Sequence, residues 1–343
     1  MKKYKISQGM LVNEADSLLT VIKKINDSKF YFQLVVKNNK LVGTVSDGDI
    51  RRAILFGINL NEDISKCMNS KPIVGNESSP INFKNLMDTI PSMRKFLPVI
   101  DKERNLKYLI VDEEIFYNKS ALIMAGGFGK RLGEKTKKVP KPLLKVGTKP
   151  MLEIILRKLE KSKFDNIYIS THYLHEKIEK FLENRKSISK VKLIYENKPL
   201  GTAGCIKSLS KVDFNFLTVI NGDIVSDIDF NSLSSFHIEK NFDITITVAK
   251  YSYEIPFGVV NFASDMSFKS LMEKPVQSKF VLSGIYCLNK EVCDLVGRKK
   301  IDMPDLINQA FNYNKKIGIF PVYEYWKDIG NLADFKLVNK EKG

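Results

Sequence analysis

The sequence predicts an α/β protein in which a doubly wound, mostly parallel sheet follows a smaller α/β domain. Three observations carry this reading. From residue 119 onward, short apolar runs alternate with amphipathic helical stretches, an order that argues for parallel strands joined by helices. The first 118 residues instead contain a degenerate internal repeat. A chain of 343 residues also suggests about two domains, placed here at 1–118 and 119–343.

The repeat comes first in the chain. QLVVKNNKLVGTVSDGDI, Gln33 to Ile50, resembles LPVIDKERNLKYLIVDEEI, Leu97 to Ile115, with one extra residue in the second loop. Each copy reads as strand, polar turn, strand and helix start, and follows a candidate helix such as SLLTVIKKIND. Two such units would pack as one small α/β domain. The first copy carries Ser46 and Asp49 as S-x-x-D, where the second has Val111 and Glu114.

The second region opens with ALIMA, Ala121 to Ala125, short and apolar as a buried parallel strand requires. It runs into MAGGFGKR and, ten residues later, PKP. Gly126, Gly127 and Gly129 let the backbone turn and approach a ligand. Their N–H groups can cradle phosphate, whose charge Arg131 and Lys141 can neutralise. The helix PMLEIILRKLEKS follows, with Leu152, Ile155, Leu156 and Leu159 on one stripe and Pro150 in its first turn. Strand NIYIST, helix LHEKIEKFLE, strand KLIYE, helix AGCIKSL and strand FLTVI complete the alternation. Doubly wound sheets bind ligands beyond the carboxyl ends of their strands.

Further stretches fall at such ends. NGD, Asn221 to Asp223, follows FLTVI, and WKDIGN, Trp326 to Asn331, places Asp328 beside another β-rich run. Two carboxylates brought together from distant positions suit Mg²⁺, which prefers a few carboxylates, water and phosphate. PLGTAG, Pro199 to Gly204, opens a helix with Gly201 and Thr202 at its start. EKP offers Glu273 as a hydroxyl acceptor and Lys274 as a cation. Gly258 and Gly284 lie in or beside strands, where glycine permits a ligand to come close.

Composition narrows the function. At 43% hydrophobic and 27% charged the chain reads as an ordinary soluble protein. The net charge of +16 is spread as single lysines among Asp and Glu, without a basic block interleaved with aromatics, so nucleic acid is not an expected partner. No apolar run approaches a membrane span, and MKKYKIS is not followed by the apolar core of a signal peptide. Cys67, Cys205, Cys287 and Cys293 include no C-x-x-C and read as reduced thiols of a cytoplasmic protein. His172, His175 and His237 read as incidental surface residues.

From about residue 120 to 335, MAGGFGKRL, VPKPL, PLGTAG, NGD, MEKP and WKDIGN stand in the order that makes the chain resemble the sugar-1-phosphate nucleotidyltransferases, Rossmann-like enzymes that make nucleotide sugars from NTP and sugar 1-phosphate. Lys130 departs from the usual Thr or Ser, and Glu134-Lys135 from a frequent Pro-Leu. The resemblance implies that the glycine loop wraps the triphosphate, Arg131 stabilises the leaving pyrophosphate and Lys141 contacts phosphate. It further implies that Asp223 and Asp328 hold Mg²⁺, Lys274 meets the sugar phosphate and Glu273 the sugar hydroxyls, with Gly201, Thr202, Gly222, Gly258 and Gly284 lining the substrates. The LGTAG form resembles the guanylyltransferases, which implies GTP. The two N-terminal copies resemble a tandem pair of CBS modules, which implies one adenine nucleotide at Ser46 and Asp49, or a homodimer built through the pair. That pair narrows the resemblance to the guanylyltransferases forming GDP-glucosamine for bacterial legionaminic acid synthesis.

Two other readings remain open. The chain can be an adenine-nucleotide sensor whose second domain only binds sugar nucleotides, although keeping Arg131, Lys141, Asp223 and Asp328 together argues for turnover. It can also be a polyol-phosphate cytidylyltransferase, against which EKP and WKDIGN stand.

Overall fold

The computed structural model describes the chain apart from residues 29, 31, 79–82, 91–94, 113–117, 186–189, 298 and 343. Glu114 lies outside the described residues.

The second region is built on a seven-stranded sheet. Its strands run in the order Lys190–Tyr195, Asn166–Thr171, Lys119–Met124, Phe216–Asn221, Val276–Asn289, Ile244–Glu254 and Ile317–Val322. Four of the six pairings are parallel, and only Val276–Asn289 runs against its two neighbours. The period-2 alternation of the strands sorts their side chains onto two faces. Ala121, Ile123, Ile167, Ile169, Phe216 and Ile220 share one core with Leu152, Leu156 and Ile178 of the helices Met151–Lys161 and His175–Glu183. Leu122, Tyr168, Leu217 and Val219 meet Ile206, Val292 and Leu306 on the other. Covered on both sides, the three central strands are buried along nearly their whole length and mostly apolar, as parallel strands need to be.

The chain starts at Lys119–Met124, steps outward through Asn166–Thr171 to Lys190–Tyr195, then returns to Phe216–Asn221 on the opposite flank. The strand order therefore reverses between Lys119–Met124 and Phe216–Asn221. A crevice opens beyond their carboxyl ends, where doubly wound sheets take ligands.

Two local expectations change. Pro150 is the N-cap of its helix, with extended ψ of 146°, rather than a first-turn residue. AGCIKSL is mostly not α-helix: only Gly201–Gly204 is, and Cys205–Leu209 continues as a 3₁₀ turn. Two glycines in one turn propagate a helix poorly.

In the N-terminal region, Phe32–Lys37 and Lys40–Ser46 pair antiparallel and lead into the helix Asp47–Leu55, while Phe96–Ile100 and Leu106–Val111 repeat the hairpin. Leu34 and Leu41 of the first copy share a core with Ile100, Leu109 and Val111 of the second, and Phe32 stacks on Phe96 with the rings 6° from parallel. The two copies thus form one small α/β unit.

This unit seals the edge of the large sheet. The Asp47–Leu55 helix lies against Ile317–Val322, with Arg51 only 1% exposed between the rings of Phe320 and Tyr323. Its guanidinium donates to Asp47 Oδ2 at 2.7 Å, to Glu324 Oε1 at 2.9 Å and to the Pro321 carbonyl at 2.5 Å. The Tyr323 hydroxyl donates to Asp47 at 2.7 Å. An exposed strand edge would otherwise offer a template for pairing.

Candidate active site

The cleft is assembled from four strand ends. After Met124 the backbone keeps to the sheet for one more residue, Ala125 N–H donating to Ser170 O at 2.9 Å, and then turns. Gly129 takes φ of 64°, a left-handed conformation costly for any residue with a Cβ, and a Cβ there would meet Thr136 at 2.8 Å. The Thr136 hydroxyl donates to Gly129 O at 2.9 Å, and buried Leu132 anchors the following turn. The loop is therefore fixed at its far end, while Gly127 faces open space.

Pro140 and Pro142 are buried and set Lys141 at the start of a short 3₁₀ turn. Lys141 Nζ reaches Asp223 Oδ2 at 2.5 Å. Gly222 N–H donates to Met124 O at 2.9 Å, so the two central strand ends touch and Asp223 is carried into the cleft.

Asp328 arrives by a separate two-stranded ladder. Trp326–Asp328 pairs antiparallel with Ile224–Ser226, Asp328 lying opposite Ile224, and Ile329 N–H donates to Asp223 O at 3.1 Å. The indole N–H of Trp326 donates to Ser283 O at 2.8 Å and ties this ladder to the sheet. Asp223 and Asp328 are thereby diagonal neighbours, although 105 positions apart in sequence. Loss of water around it and then the charge of Asp223 push the Asp328 carboxyl up to about 6, against the pull of Lys141 and Arg131. Its side chain stays open to water at the cleft mouth. Two carboxylates that repel each other beside a phosphate-sized opening are a donor set that fits Mg²⁺, the remaining oxygens coming from water and phosphate.

A cavity of about 240 Å³ runs from Lys141 and Asp223 past the glycine loop to Gly201 and Thr202. Its far wall holds Glu196, buried, which accepts from Leu200 N–H at 3.0 Å and from the Ser170 hydroxyl, and lies 3.5 Å from where a Gly126 Cβ would be. Gly201, at φ 83°, passes so close to Ile301 O that a Cβ would stand 2.4 Å from it. Thr202 donates through its N–H to Asp302 at 2.8 Å, and its hydroxyl accepts from Met303 N–H at 2.8 Å. PLGTAG is thus locked to the segment before the Met303–Asn312 helix while it lines the cavity. A wider hollow of about 640 Å³ lies on the helical layer beside Glu153 and Arg185, which already pair with each other.

The structure gathers Gly126, Gly127, Lys141, Gly201, Thr202, Gly222 and Asp223 around the cavity and sets Asp328 at its mouth, with Gly129 in the loop behind and exposed Arg131 near enough to act on Asp328. Gly284, at φ 77°, abuts Asn221. Gly258, Glu273 and Lys274 are not brought there: they sit exposed on a projecting arm. Ser46 and Asp49 face each other in a capping box, Ser46 N–H donating to Asp49 Oδ2 at 2.8 Å and Asp49 N–H to Ser46 Oγ at 3.3 Å.

The sequence does not single out Glu196, and names Asn221 only as the first residue of NGD, although both stand at strand ends by the same logic that singles out Asp223. The reading of the histidines needs correction. His237 is 1% exposed, bonded to Thr245 Oγ1 at 2.8 Å and Asn289 Oδ1 at 2.9 Å, and burial depresses its pKa to about 4. His172 is half-buried against Glu196 O.

Residues 120–342 match the nucleotidyl transferase model, and residues 10–56 match the CBS domain model. The chain belongs to the nucleotidyl transferase family. This nucleotidyl transferase is 31% identical over 225 residues to the D-glycero-alpha-D-manno-heptose 1-phosphate guanylyltransferase of Aneurinibacillus thermoaerophilus, covering 64% of the chain and 97% of that protein. It is 30% identical over 223 residues to the mannose-1-phosphate guanyltransferase of Debaryomyces hansenii, covering 62% of each. The chain therefore spans about 62% of the length of that curated relative. The crystal structure of HddC from Yersinia pseudotuberculosis superposes with a TM-score of 0.52 at 26% identity, over 66% of this chain and 99% of that one. Among the described residues no helix is long and apolar enough to cross a membrane.

Proposed function

We propose that this nucleotidyl transferase moves GMP from GTP to a hexose or hexosamine 1-phosphate, glucosamine 1-phosphate being the first acceptor to try, and releases pyrophosphate. The observation that carries this is the meeting of Lys141, Asp223 and Asp328 at the strand reversal, beside a glycine loop with open space in front of Gly127. An oxygen of the sugar phosphate attacks the α-phosphorus of GTP. The bond to the bridging α–β oxygen breaks, and its electrons leave with pyrophosphate. The attacking oxygen is already ionised at neutral pH, so the chain needs no general base. Its work is to align the reacting atoms and to neutralise charge. Lys141 and Arg131 are the cations for the phosphates, and the glycine-loop N–H groups hold the triphosphate. Asp223 and Asp328 would hold Mg²⁺, which supplies charge stabilisation at the α-phosphate when bound.

Guanine is favoured by two supports. The relatives matched include guanylyltransferases, and the buried Glu196 carboxylate faces the glycine loop. A carboxylate accepts hydrogen bonds only, and the guanine edge offers two adjacent donors where uracil and thymine offer one.

The test is pyrophosphate release from GTP, UTP, dTTP and CTP, each against a panel of sugar 1-phosphates. GTP with a hexose or hexosamine 1-phosphate is expected to exceed the other bases by tenfold or more. A preference for UTP or dTTP overturns the base assignment. No release with any pair favours the sensor reading instead.

A further inference from the structure

The tip of the glycine loop has a single side-chain handle. Between Ala125 and Lys130 the sequence is GGFG, so Phe128 alone carries a side chain by which this stretch can be held beside the cavity it lines. Glycine backbone loses the most conformational freedom on ordering, and a loop left loose would have to be ordered by each triphosphate that enters. The anchors at Leu132 and Thr136 lie beyond Gly129. What Phe128 rests on therefore decides how far the loop is set before a nucleotide arrives.

It rests on His172 and Tyr173, the two residues after the strand Asn166–Thr171. The Phe128 ring centroid is 5.6 Å from that of His172, with the planes at 89°, and 5.4 Å from that of Tyr173. The 89° crossing is the edge-to-face arrangement that aromatic rings favour. The Tyr173 hydroxyl donates to Lys137 O at 3.0 Å, which fixes it to the chain just past the loop. A Cβ on Gly126 would stand 3.5 Å from His172 Cβ, so the loop leaves its strand beside His172 and comes back to it at Phe128.

The same imidazole also serves Glu196. His172 Nδ1 lies 2.7 Å from Glu196 O, and because a carbonyl only accepts, Nδ1 carries the proton of this bond. Glu196 N–H donates to Thr171 O at 2.8 Å, and its carboxylate accepts from Leu200 N–H and the Ser170 hydroxyl. Glu196 is thus held by three successive residues, 170 to 172. One imidazole joins the tip of the phosphate loop to the backbone that carries the buried carboxylate facing it.

We infer that His172 is a positioning residue with two separable tasks in the GTP site: its ring seats Phe128 and so presets the glycine loop for the triphosphate, and its Nδ1–H fixes Glu196 for the base. This rests on the proposed function. Neither task touches a reacting atom, so a loss falls on KM rather than on kcat.

Two substitutions separate the tasks. His172→Asn keeps an N–H donor near the place of Nδ1 and removes the ring, whereas His172→Phe keeps a ring and removes the donor. Calorimetry of the full chain with Mg²⁺ and GTP or UTP, without acceptor, reads affinity, and pyrophosphate release reads KM and kcat. His172→Asn is expected to weaken GTP and UTP alike, by about fivefold to tenfold. Phe128→Ala, at a side chain already 41% exposed, is expected to do the same, and the two changes together no more than either alone. This variant keeps the ring contact testable where a His172 variant does not fold. His172→Phe is expected to weaken GTP about tenfold and to leave UTP within about twofold. Variants that unfold earlier but keep wild-type affinities overturn the inference, as does an equal loss for both nucleotides in His172→Phe. A wild type that binds neither nucleotide fails the functional reading instead.

Discussion

Two charge clusters in this molecule have the same ingredients and opposite fates. Each combines one cation with two carboxylates: Arg51 bonded to Asp47 and Glu324, and Lys141 bonded to Asp223 with Asp328 within reach of its charge. Glu324 and Asp328 lie four residues apart on one segment. At Arg51 the three side chains are 1%, 9% and 7% exposed, both carboxylates are bonded to the guanidinium, and two aromatic rings close the sides. Nothing is left over for a ligand. At Lys141 the pair with Asp223 is partly open, and Asp328 remains crowded by a like charge with its carboxyl pushed up to about 6. A saturated cluster joins parts of a protein. An unsaturated one, facing a cavity, is prepared for an ion or a phosphate to complete it.

The largest effect that would test this contrast is on stability. Arg51→Met leaves Asp47 and Glu324 buried without a counter-charge and should destabilise the chain by about 3–5 kcal/mol. Turnover per folded molecule should hardly change, and adding Asp47→Leu and Glu324→Leu should recover much of the loss. Urea unfolding followed by fluorescence reads this, and a loss under 1 kcal/mol would mean the joint is not sealed as described. The open cluster should answer the other way. Asp223→Asn or Asp328→Asn should cut Mg²⁺-dependent turnover by a hundredfold or more, about 3 kcal/mol on the barrier, while the unfolding midpoint moves little. Near wild-type turnover in either variant removes that residue from the site.

A third buried group sharpens the comparison, because it is enclosed without a counter-charge strong enough to hold a proton. His237 has its pKa depressed to about 4 from 6.5, so the folded chain keeps it neutral where the unfolded chain protonates it. The stability this gives is complete above pH 6.5 and is lost as pH falls toward 4. Between pH 7 and pH 5 the loss is about 2 kcal/mol. His237→Gln should flatten that part of the pH–stability profile, and an unchanged slope would contradict the assignment. The smallest effect is at the capping box. Asp49→Ala should cost about 1 kcal/mol. Calorimetry of the full chain with AMP, ADP and ATP shows whether Asp49 also serves a nucleotide: binding that the substitution abolishes would add that role, and absence of binding leaves the cap.

The sequence made the cleft legible because its chemistry is local. Glycines, prolines and aspartates at strand ends announce turns and ligands without reference to distant residues, and period-2 apolar runs announce the strands behind them. Glu196 was readable by the same rule at the end of KLIYE. What stayed hidden depends on contacts between distant segments. Nothing near Arg51 points to Glu324, 273 positions away. His237 looks like any polar helix residue until Thr245 and Asn289 enclose it. Gly201 reads as the start of a helix that lines the substrates, yet its missing Cβ is also demanded by Ile301 O. EKP reads as part of the cleft by its order in the chain, and only the unbroken ladder from Lys250 to Glu254 shows it standing away.

Labelled phosphate tests most directly whether the open cluster transfers a nucleotidyl group. The full chain is given Mg²⁺, GTP and glucosamine 1-phosphate carrying ³³P, with other hexose 1-phosphates in parallel. The ³³P is expected in a GDP-sugar as its β-phosphate, with unlabelled pyrophosphate formed in equal amount, and Asp223→Asn is expected to form neither. Label in free phosphate or pyrophosphate, or no labelled nucleotide sugar from any acceptor, would contradict that transfer.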